Sequence, residues 1–397
     1  MNLNIVAIVV AIVIIGGYLM IRRAPNAKWM ILTLMVIIIS SAYLMVYLNR
    51  GSSLFAKSLS DERIAYINDD GKRSDVYTMK LDGSDKQNVT NDPAIDRSPA
   101  WSSNGTEIAF VSDKVDGKFQ LGVVTWNGRS NRILTVSAGT KESPEFIHKG
   151  QDILYLSSGK LMTIDHAGGE ETQIFPPEES QRNAMTEFLR MTINSGSFSA
   201  DGGYLLLLQE TDAGQAMTAF ETPEEQISKT GEMKTLEGVL ARQISCQWAP
   251  VGHKFAASLV DSQGANILYV MNLDSMDRTQ ILRTKGDTFG AGRVVWSPDG
   301  SKLVYEYWTV MNRLLDKSQG LYIVSPDNGK PSRLVSGDAQ SPCWSADGKY
   351  VFYTKSREDG KRDIWRVGAD GSGAVNLTKG EGDNYSPAAS PLPRSKN

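Results

Sequence analysis

A short hinge recurs through this sequence at nearly constant intervals. Its clearest copy is Trp296-Ser297-Pro298-Asp299-Gly300, followed by Ser301-Lys302 and the apolar run Leu303-Val304-Tyr305. An aromatic ends one extended run, Pro298 presets φ for a tight turn, Asp299 can bond back to the turn backbone, and Gly300 takes φ > 0. The same hinge stands at Trp344-Ser345-Ala346-Asp347-Gly348, Phe198-Ser199-Ala200-Asp201-Gly202, Trp248-Ala249-Pro250-Val251-Gly252, Trp101-Ser102-Ser103-Asn104-Gly105 and, degraded, Phe146-Ile147-His148-Lys149-Gly150. From one aromatic to the next the steps are 45, 52, 50, 48 and 48 residues.

Each hinge opens a unit of strands. Trp296, for example, leads into Leu303 to Tyr307, Leu321 to Ser325 and Ser332 to Val335, and a short strand precedes every hinge aromatic. Repeats of ~40 to 50 residues with four strands each are the pattern of a β-propeller. Middle strands such as Val351-Phe352-Tyr353 are apolar on both faces, which suits blades packed face to face.

The two ends of the repeat decide the topology. It begins with Ile64 to Ile67, Asp75 to Lys80 (containing Tyr77) and Lys86 to Thr90, the last three strands of a unit; it ends with Tyr385-Ser386-Pro387-Ala388-Ala389, a first strand with nothing after it. The two fragments complete one blade and close a ring of seven, with six or eight as the neighbouring counts. The expected fold is therefore all-β, a seven-bladed propeller over residues 61–391 with a tail at 392–397.

Ahead of the propeller lie two uncharged stretches, Leu3 to Ile21 and Trp29 to Leu48, of 19 and 20 residues. Each approaches the ~20 residues that cross a bilayer core as a helix. We read residues 1–48 as a transmembrane hairpin and 49–60 as a tether. The first run is too long for the core of a signal peptide and lacks a small-x-small exit before Arg22-Arg23; a cleavage site at Ser40-Ser41-Ala42 is the competing reading. Arg22, Arg23 and Lys28 in the connection favour that connection inside and the propeller on the extracytoplasmic side of the cell membrane.

Charge narrows the partners. Residues 1–50 carry Arg22, Arg23, Lys28 and Arg50 and no acid, so a chain of net charge −3 leaves −7 on the remainder. A mildly acidic body lacks the basic stripe that nucleic acid needs. Cys246 and Cys343 lie in strands just before hinge aromatics and read as free thiols rather than a disulfide, since free Cys behaves as a small buried hydrophobe.

Ser297-Pro298-Asp299-Gly300, taken with Ser356 to Trp365 (Ser-Arg-Glu-Asp-Gly-Lys-Arg-Asp-Ile-Trp) and Leu377-Thr378, resembles the repeat of the TolB-type, WD-like propellers over roughly residues 60 to 391. The resemblance implies a periplasmic or cell-surface propeller that binds protein partners, or the non-catalytic half of a peptidase. The chain departs from TolB in lacking a separate amino-terminal α/β domain, in carrying a helical hairpin where TolB has a cleaved signal, and in an expected seven blades against TolB's six.

Nothing in the sequence assembles a catalytic set. No Gly-x-Ser-x-Gly elbow occurs, no Gly-rich loop opens onto a helix, and His148, His166 and His253 each occupy a turn without metal-ligand spacing. Asp-rich turns such as Asn68-Asp69-Asp70-Gly71 and Asp359-Gly360 could hold Ca²⁺, but turn geometry alone calls for Asp and Gly there. We therefore expect no enzyme and no cofactor.

The informative positions are where the repeat breaks. One insertion, Pro176 to Thr192, reads as a short helix from Glu178 to Arg190 that contains Phe188 and Leu189. A second, Thr211 to Arg242, distorts the fourth outer triplet. A third, Trp308 to Gln319, reads as a lengthened loop holding Trp308, Val310, Met311, Leu314 and Leu315. Apolar side chains in an exposed loop mark a contact surface, and Trp and Met are favoured in interface cores. Trp308, Met311, Leu314, Leu315, Phe188 and Leu189 are thus the partner-binding candidates; the competing reading folds the third loop onto its own propeller. The expected role is that of an interaction scaffold or accessory subunit of a membrane complex, with a sensor for a small molecule or glycan at the channel mouth as the alternative and a propeller lyase behind it.

Overall fold

Four of the hinges, those after Trp101, Phe198, Trp296 and Trp344, close by the same set of bonds in the computed structural model. Ser297 Oγ donates to Asp299 Oδ1 at 2.6 Å, that oxygen accepts the Ser301 amide at 3.0 Å, and Ser297 Oγ accepts the Lys302 amide at 2.9 Å. Ser345, Asp347, Lys349 and Tyr350 repeat the set at 2.8, 3.0 and 2.9 Å. Gly300 and Gly348 both take φ +71°, a conformation that only glycine adopts cheaply.

The structure describes residues 62–147, 150–176, 192–211, 214–222, 233–235, 242–261, 263–284, 289–311, 314–327 and 329–391. The expected hairpin at 3–21 and 29–48, the tether, the tail and the helix with Phe188 and Leu189 lie outside them. Among the described residues no helix is long and apolar enough to cross a membrane.

The strands fall into seven antiparallel sheets. Blade one takes β1 (Arg63–Asp69), β2 (Ser74–Lys80) and β3 (Gln87–Asn88) from the start of the chain. Blade two holds β4 (Asp96–Trp101), β5 (Glu107–Val115), β6 (Lys118–Thr125) and β7 (Asn131–Ile133). Blade three holds β8 (Lys141–Ile147), β9 (Asp152–Ser157), β10 (Lys160–Asp165) and β11 (Thr172–Phe175). Blade four holds β12 (Thr192–Phe198), β13 (Tyr204–Thr211), β14 (Gly214–Glu221) and β15 (Met233–Thr235). Blade five holds β16 (Arg242–Trp248), β17 (Lys254–Val260), β18 (Asn266–Asn272) and β19 (Arg278–Thr284). Blade six holds β20 (Phe289–Trp296), β21 (Leu303–Met311), β22 (Leu314–Val324) and β23 (Ser332–Ser336). Blade seven holds β24 (Ala339–Trp344), β25 (Tyr350–Ser356), β26 (Arg362–Gly368) and β27 (Val375–Asn376), and the last strand, β28 (Asp383–Ala389), returns to blade one in the order β28-β1-β2-β3. Blade four keeps the same four-strand order despite its insertion.

Closure is made by backbone pairing and side chains together. Ile64 stands opposite Ala389 and Ile67 opposite Tyr385, while the Arg63 amide donates to Ser390 Oγ at 2.9 Å. Tyr77 packs on Tyr66 with ring centroids 5.7 Å apart, and the Arg362 guanidinium lies 4.0 Å from the Tyr385 ring centre. Hinge tryptophans then staple neighbouring blades. The indole N–H of Trp101 donates to Ala388 O at 2.9 Å, that of Trp248 to Ser197 O at 3.0 Å, that of Trp296 to Gln247 O at 3.0 Å and that of Trp344 to Val295 O at 3.4 Å.

The core lies between blades. Leu303 and Tyr305 pack with Ala256, Leu268 and Val270 of blade five, whereas Val304 packs with Trp344, Val351 and Tyr353 of blade seven. Alternation along β21 therefore buries both faces, each large apolar side chain contributing ~1.5–3 kcal/mol.

One expectation is corrected here. Residues 308–319 are not a loop: β21 runs through Met311 and β22 starts at Leu314, so the insertion prolongs a hairpin. Its register pairs Trp308 with Ser318, Thr309 with Lys317, Val310 with Leu315 and Met311 with Leu314. Extra residues on two adjacent antiparallel strands satisfy each other's backbone groups, which a loop of the same length would leave to water.

Candidate functional site

Every blade carries a β-bulge between its first and second strands, just before the hinge. In four of them a serine takes the left-handed conformation, Ser98 at φ 57°, Ser143 at 50°, Ser341 at 51° and Ser386 at 53°, each followed by proline. The first strand is an edge strand, where Pro has no ladder bond to forfeit, and a bulge re-aims the side chains beside it. Those edge strands line the centre of the ring. Two adjoining cavities of ≈ 500 and ≈ 490 Å³ share Ser143, Ser195, Cys246, Gln247 and Arg293, so β8, β12, β16 and β20 bound a common channel.

The channel holds few ionisable groups. Glu145, two residues past the Ser143 bulge, lines the cavity and is exposed to it, while the blades crowding around the channel push its carboxyl up to about 7. Arg293 is exposed at the opposite wall. Burial also pushes the Cys246 and Cys343 thiols up to about 12, with Glu145 adding to the shift at Cys246 and Arg293 opposing it at Cys343. Both sulfurs are free and protonated at neutral pH, so neither is a ready nucleophile.

Glu306 supports this wall. It is 7% exposed. Its Oε1 accepts the Ser341 amide at 2.7 Å, and its Oε2 accepts the Arg293 amide at 3.2 Å and Trp308 Nε1 at 2.9 Å. One carboxylate thus ties the bulges of blades six and seven together. Gly292 makes the room: a Cβ there would stand 2.6 Å from both Glu306 Oε2 and Trp308 Nε1. Trp308 is accordingly half-buried against its own blade. The sequence signal for Glu306 was an acid inside a strand apolar on both faces, where blades five and seven place Ser258 and Thr354.

The other candidates sit apart from the channel. Met311, Leu314 and Leu315 form the tip of the β21–β22 arm. His253 lies in a turn, with Nδ1 2.7 Å from Asp274 Oδ1 and Nε2 2.7 Å from Asp201 Oδ2, and His166 Nδ1 is 2.8 Å from Glu107 Oε2. His148 lies outside the described residues. In the Asp-rich turns the carboxylates accept backbone amides: Asp69 Oδ1 from Gly71 at 2.7 Å, Asp70 Oδ1 from Lys72 at 2.8 Å and Asp359 Oδ1 from Lys361 at 3.0 Å.

With this geometry in hand the chain was compared with known proteins. No family model matches it. An uncharacterized protein of Agrobacterium fabrum (strain C58) is 29% identical over 198 residues, covering 49% of this chain and 61% of that one. The Tol-Pal system protein TolB of Desulfosudis oleivorans is 35% identical over 57 residues, 14% of this chain and 13% of that one. The chain thus spans less than two thirds of either relative. Among solved structures, TolB from Acinetobacter baumannii superposes with a TM-score of 0.52 at 17% identity, covering 84% of this chain and 67% of that one. Its fold is similar to that of TolB. An oligogalacturonate lyase in complex with manganese aligns at 0.56 and 14% identity over 79% of this chain and 83% of that one. Likeness at such identities is one of fold, and propellers host unrelated functions.

Proposed function

We propose that this propeller is a protein-interaction module, held at the extracytoplasmic face of a membrane by residues 1–48, and that a partner docks on the β21–β22 arm. The observation that carries the reading is the register of blade six. Among the described residues β20 begins at Phe289, opposite Thr309, and β21 and β22 pair with each other beyond that point, Val310 with Leu315 and Met311 with Leu314. Four apolar residues on an arm whose two strands already pair with each other would offer a partner a contact surface at little entropic cost. Phe175 and Thr192 border another insertion at the same end of the ring, since both ends of that connection lie where first strands begin.

The anchor rests on the uncharged lengths 3–21 and 29–48, and the side on Arg22, Arg23 and Lys28 between them. The channel supports a second reading: Glu145 and Arg293 face one cavity, which suits a small zwitterionic or peptide-like ligand.

The test uses the full chain in mild detergent with a photo-crosslinking residue at position 312, compared with Met311, Leu314 and Leu315 all replaced by Ser. Loss of a discrete crosslinked protein in the triple variant is the expected result. An unchanged crosslink pattern sinks the arm, and release of the chain from membranes by alkaline carbonate sinks the anchor.

A further inference from the structure

We propose that Asp75, Asp92 and Asp96 form a binding site for a hard divalent cation, calcium by its oxygen ligands, at the junction of blades one and two. One carboxylate oxygen from each lies within 4.8 Å of the others. What lifts this above an acidic cluster is Asp96. It is 0% exposed, and neither of its carboxylate oxygens receives a hydrogen bond. The other two carry partners of their own. Asp75 accepts Asn88 Nδ2 at 2.9 Å, the Asp92 amide at 3.2 Å and Thr90 Oγ1 at 3.4 Å and lies 3.6 Å from Arg73 Nε, while Asp92 accepts the Ala94 amide at 3.0 Å and pairs with Lys114 Nζ at 2.9 Å.

The repeat supplies its own controls, because the same position recurs six residues after a threonine. At the junction of blades seven and one that threonine is Thr378, and the position is Asn384. Asn384 is fully satisfied: its Oδ1 accepts Asn68 Nδ2 at 2.8 Å and its Nδ2 donates to Glu381 O at 2.6 Å. The place of Asp92 there is taken by Gly380, whose amide donates to Asp363 Oδ1 at 3.0 Å just as that of Asp92 donates to Asp75. At the junction of blades two and three the threonine is Thr135, and the position is Lys141. Its buried ammonium donates to Ser137 Oγ at 2.7 Å and Ser157 Oγ at 3.0 Å and pairs with Glu171 at 3.4 Å. The frame is thus completed by a partnered amide in one junction and by a built-in cation in the next.

At Asp96 the frame instead holds a buried carboxylate without a donor. Such a group costs several kcal/mol unless it is neutralised. The Ser112 and Thr90 hydroxyls stand close by. Turn geometry does not ask for the acid at Asp96, as Asn384 shows, although Asp92 also serves its own turn by accepting the Ala94 amide at 3.0 Å. Three carboxylates with hydroxyls alongside match the oxygen-rich, irregular shell that calcium accepts and that magnesium, with its octahedral demand, does not.

The experiment titrates calcium chloride alone into the purified full-length protein in detergent, with 150 mM potassium chloride as background, and reads calorimetric heat and Tm. Wild-type protein is expected to bind one calcium and to gain about 4 °C at a hundredfold excess over Kd. Asp96→Asn, which copies the Asn384 junction, should lose both signals while keeping a cooperative transition; Asp92→Asn should weaken binding at least tenfold and serves where Asp96→Asn fails to fold. No heat from wild-type protein at 5 mM calcium overturns the site. So does an undiminished calcium shift in Asp96→Asn, or an equal shift from magnesium.

Discussion

Replacing Glu306 by Gln keeps the size of a side chain that accepts three N–H groups and changes only what it can offer them. An amide has one acceptor oxygen. Whichever way it is turned, its NH₂ faces either the Ser341 amide or the pair formed by the Arg293 amide and Trp308 Nε1, which the carboxylate now serves at 2.7, 3.2 and 2.9 Å. Bonds to a charged group contribute ~1.5–3 kcal/mol net and neutral ones ~0.5–1.5, while a buried donor left unpaired costs ~1–3. With the site 7% exposed, water does not repair the loss. We expect Glu306→Gln to destabilise the propeller by about 3–5 kcal/mol, near 2 °C per kcal/mol for a domain of this size. Trp308→Phe removes one donor and leaves the carboxylate its other two, so it should cost about 1 kcal/mol. Thermal unfolding followed by circular dichroism measures both. A Glu306→Gln protein melting within 2 °C of wild type, or a ranking with Trp308→Phe the more damaged, would refute the bracing role.

His253 stands between Asp274 and Asp201; burial pulls its pKa down, but bonds to the two carboxylates outweigh it and the net shift is upward from 6.5. This clamp is fully present below pH 6.5 and is lost as pH rises through the higher folded value, so wild-type stability should fall over that window by up to ~1 kcal/mol after solvent screening; His253→Ala should flatten the slope, and an equal slope in both proteins argues against the clamp. Trp101→Phe leaves the Ala388 carbonyl without its 2.9 Å indole donor and should cost about 1–3 kcal/mol, with amides of β28 losing hydrogen-exchange protection first. Cys246 and Cys343, pushed up to about 12, should be thiolate in only about one molecule in 10⁴ at pH 8; rapid modification by a thiol reagent in the folded protein would contradict their setting.

The architecture was legible because a ring repeats its instructions. Six hinges that share an aromatic and a Gly four residues on, three of them with Asp299, Asp347 or Asp201 before the Gly, set the blade period, and the orphan strand at Tyr385 set the closure. Less visible was the meaning of Ser-Pro, which reads locally as turn chemistry and is in fact a bulge with serine in a left-handed conformation, legible only once the partner strand is known. Trp308 to Gln319 misled for a related reason: an insertion that falls equally on two paired strands has the composition of a loop and the hydrogen bonding of a sheet. Glu306 and Asp96 were passed over because a single acid in a strand looks like an outward-facing residue, and only the packing of the neighbouring blade shows that it faces inward.

The latch between β1 and β28 has a consequence for biogenesis. Arg63 and Ser390, which hold each other across it, are 327 residues apart in the chain. At ~5–20 residues per second a ribosome needs roughly 15–65 s to travel that distance. For all of that time the inner edge of β1 has no mate, and an exposed edge invites pairing with strangers. The newborn polypeptide must therefore be shielded, or kept apart from its sisters, until β28 has emerged.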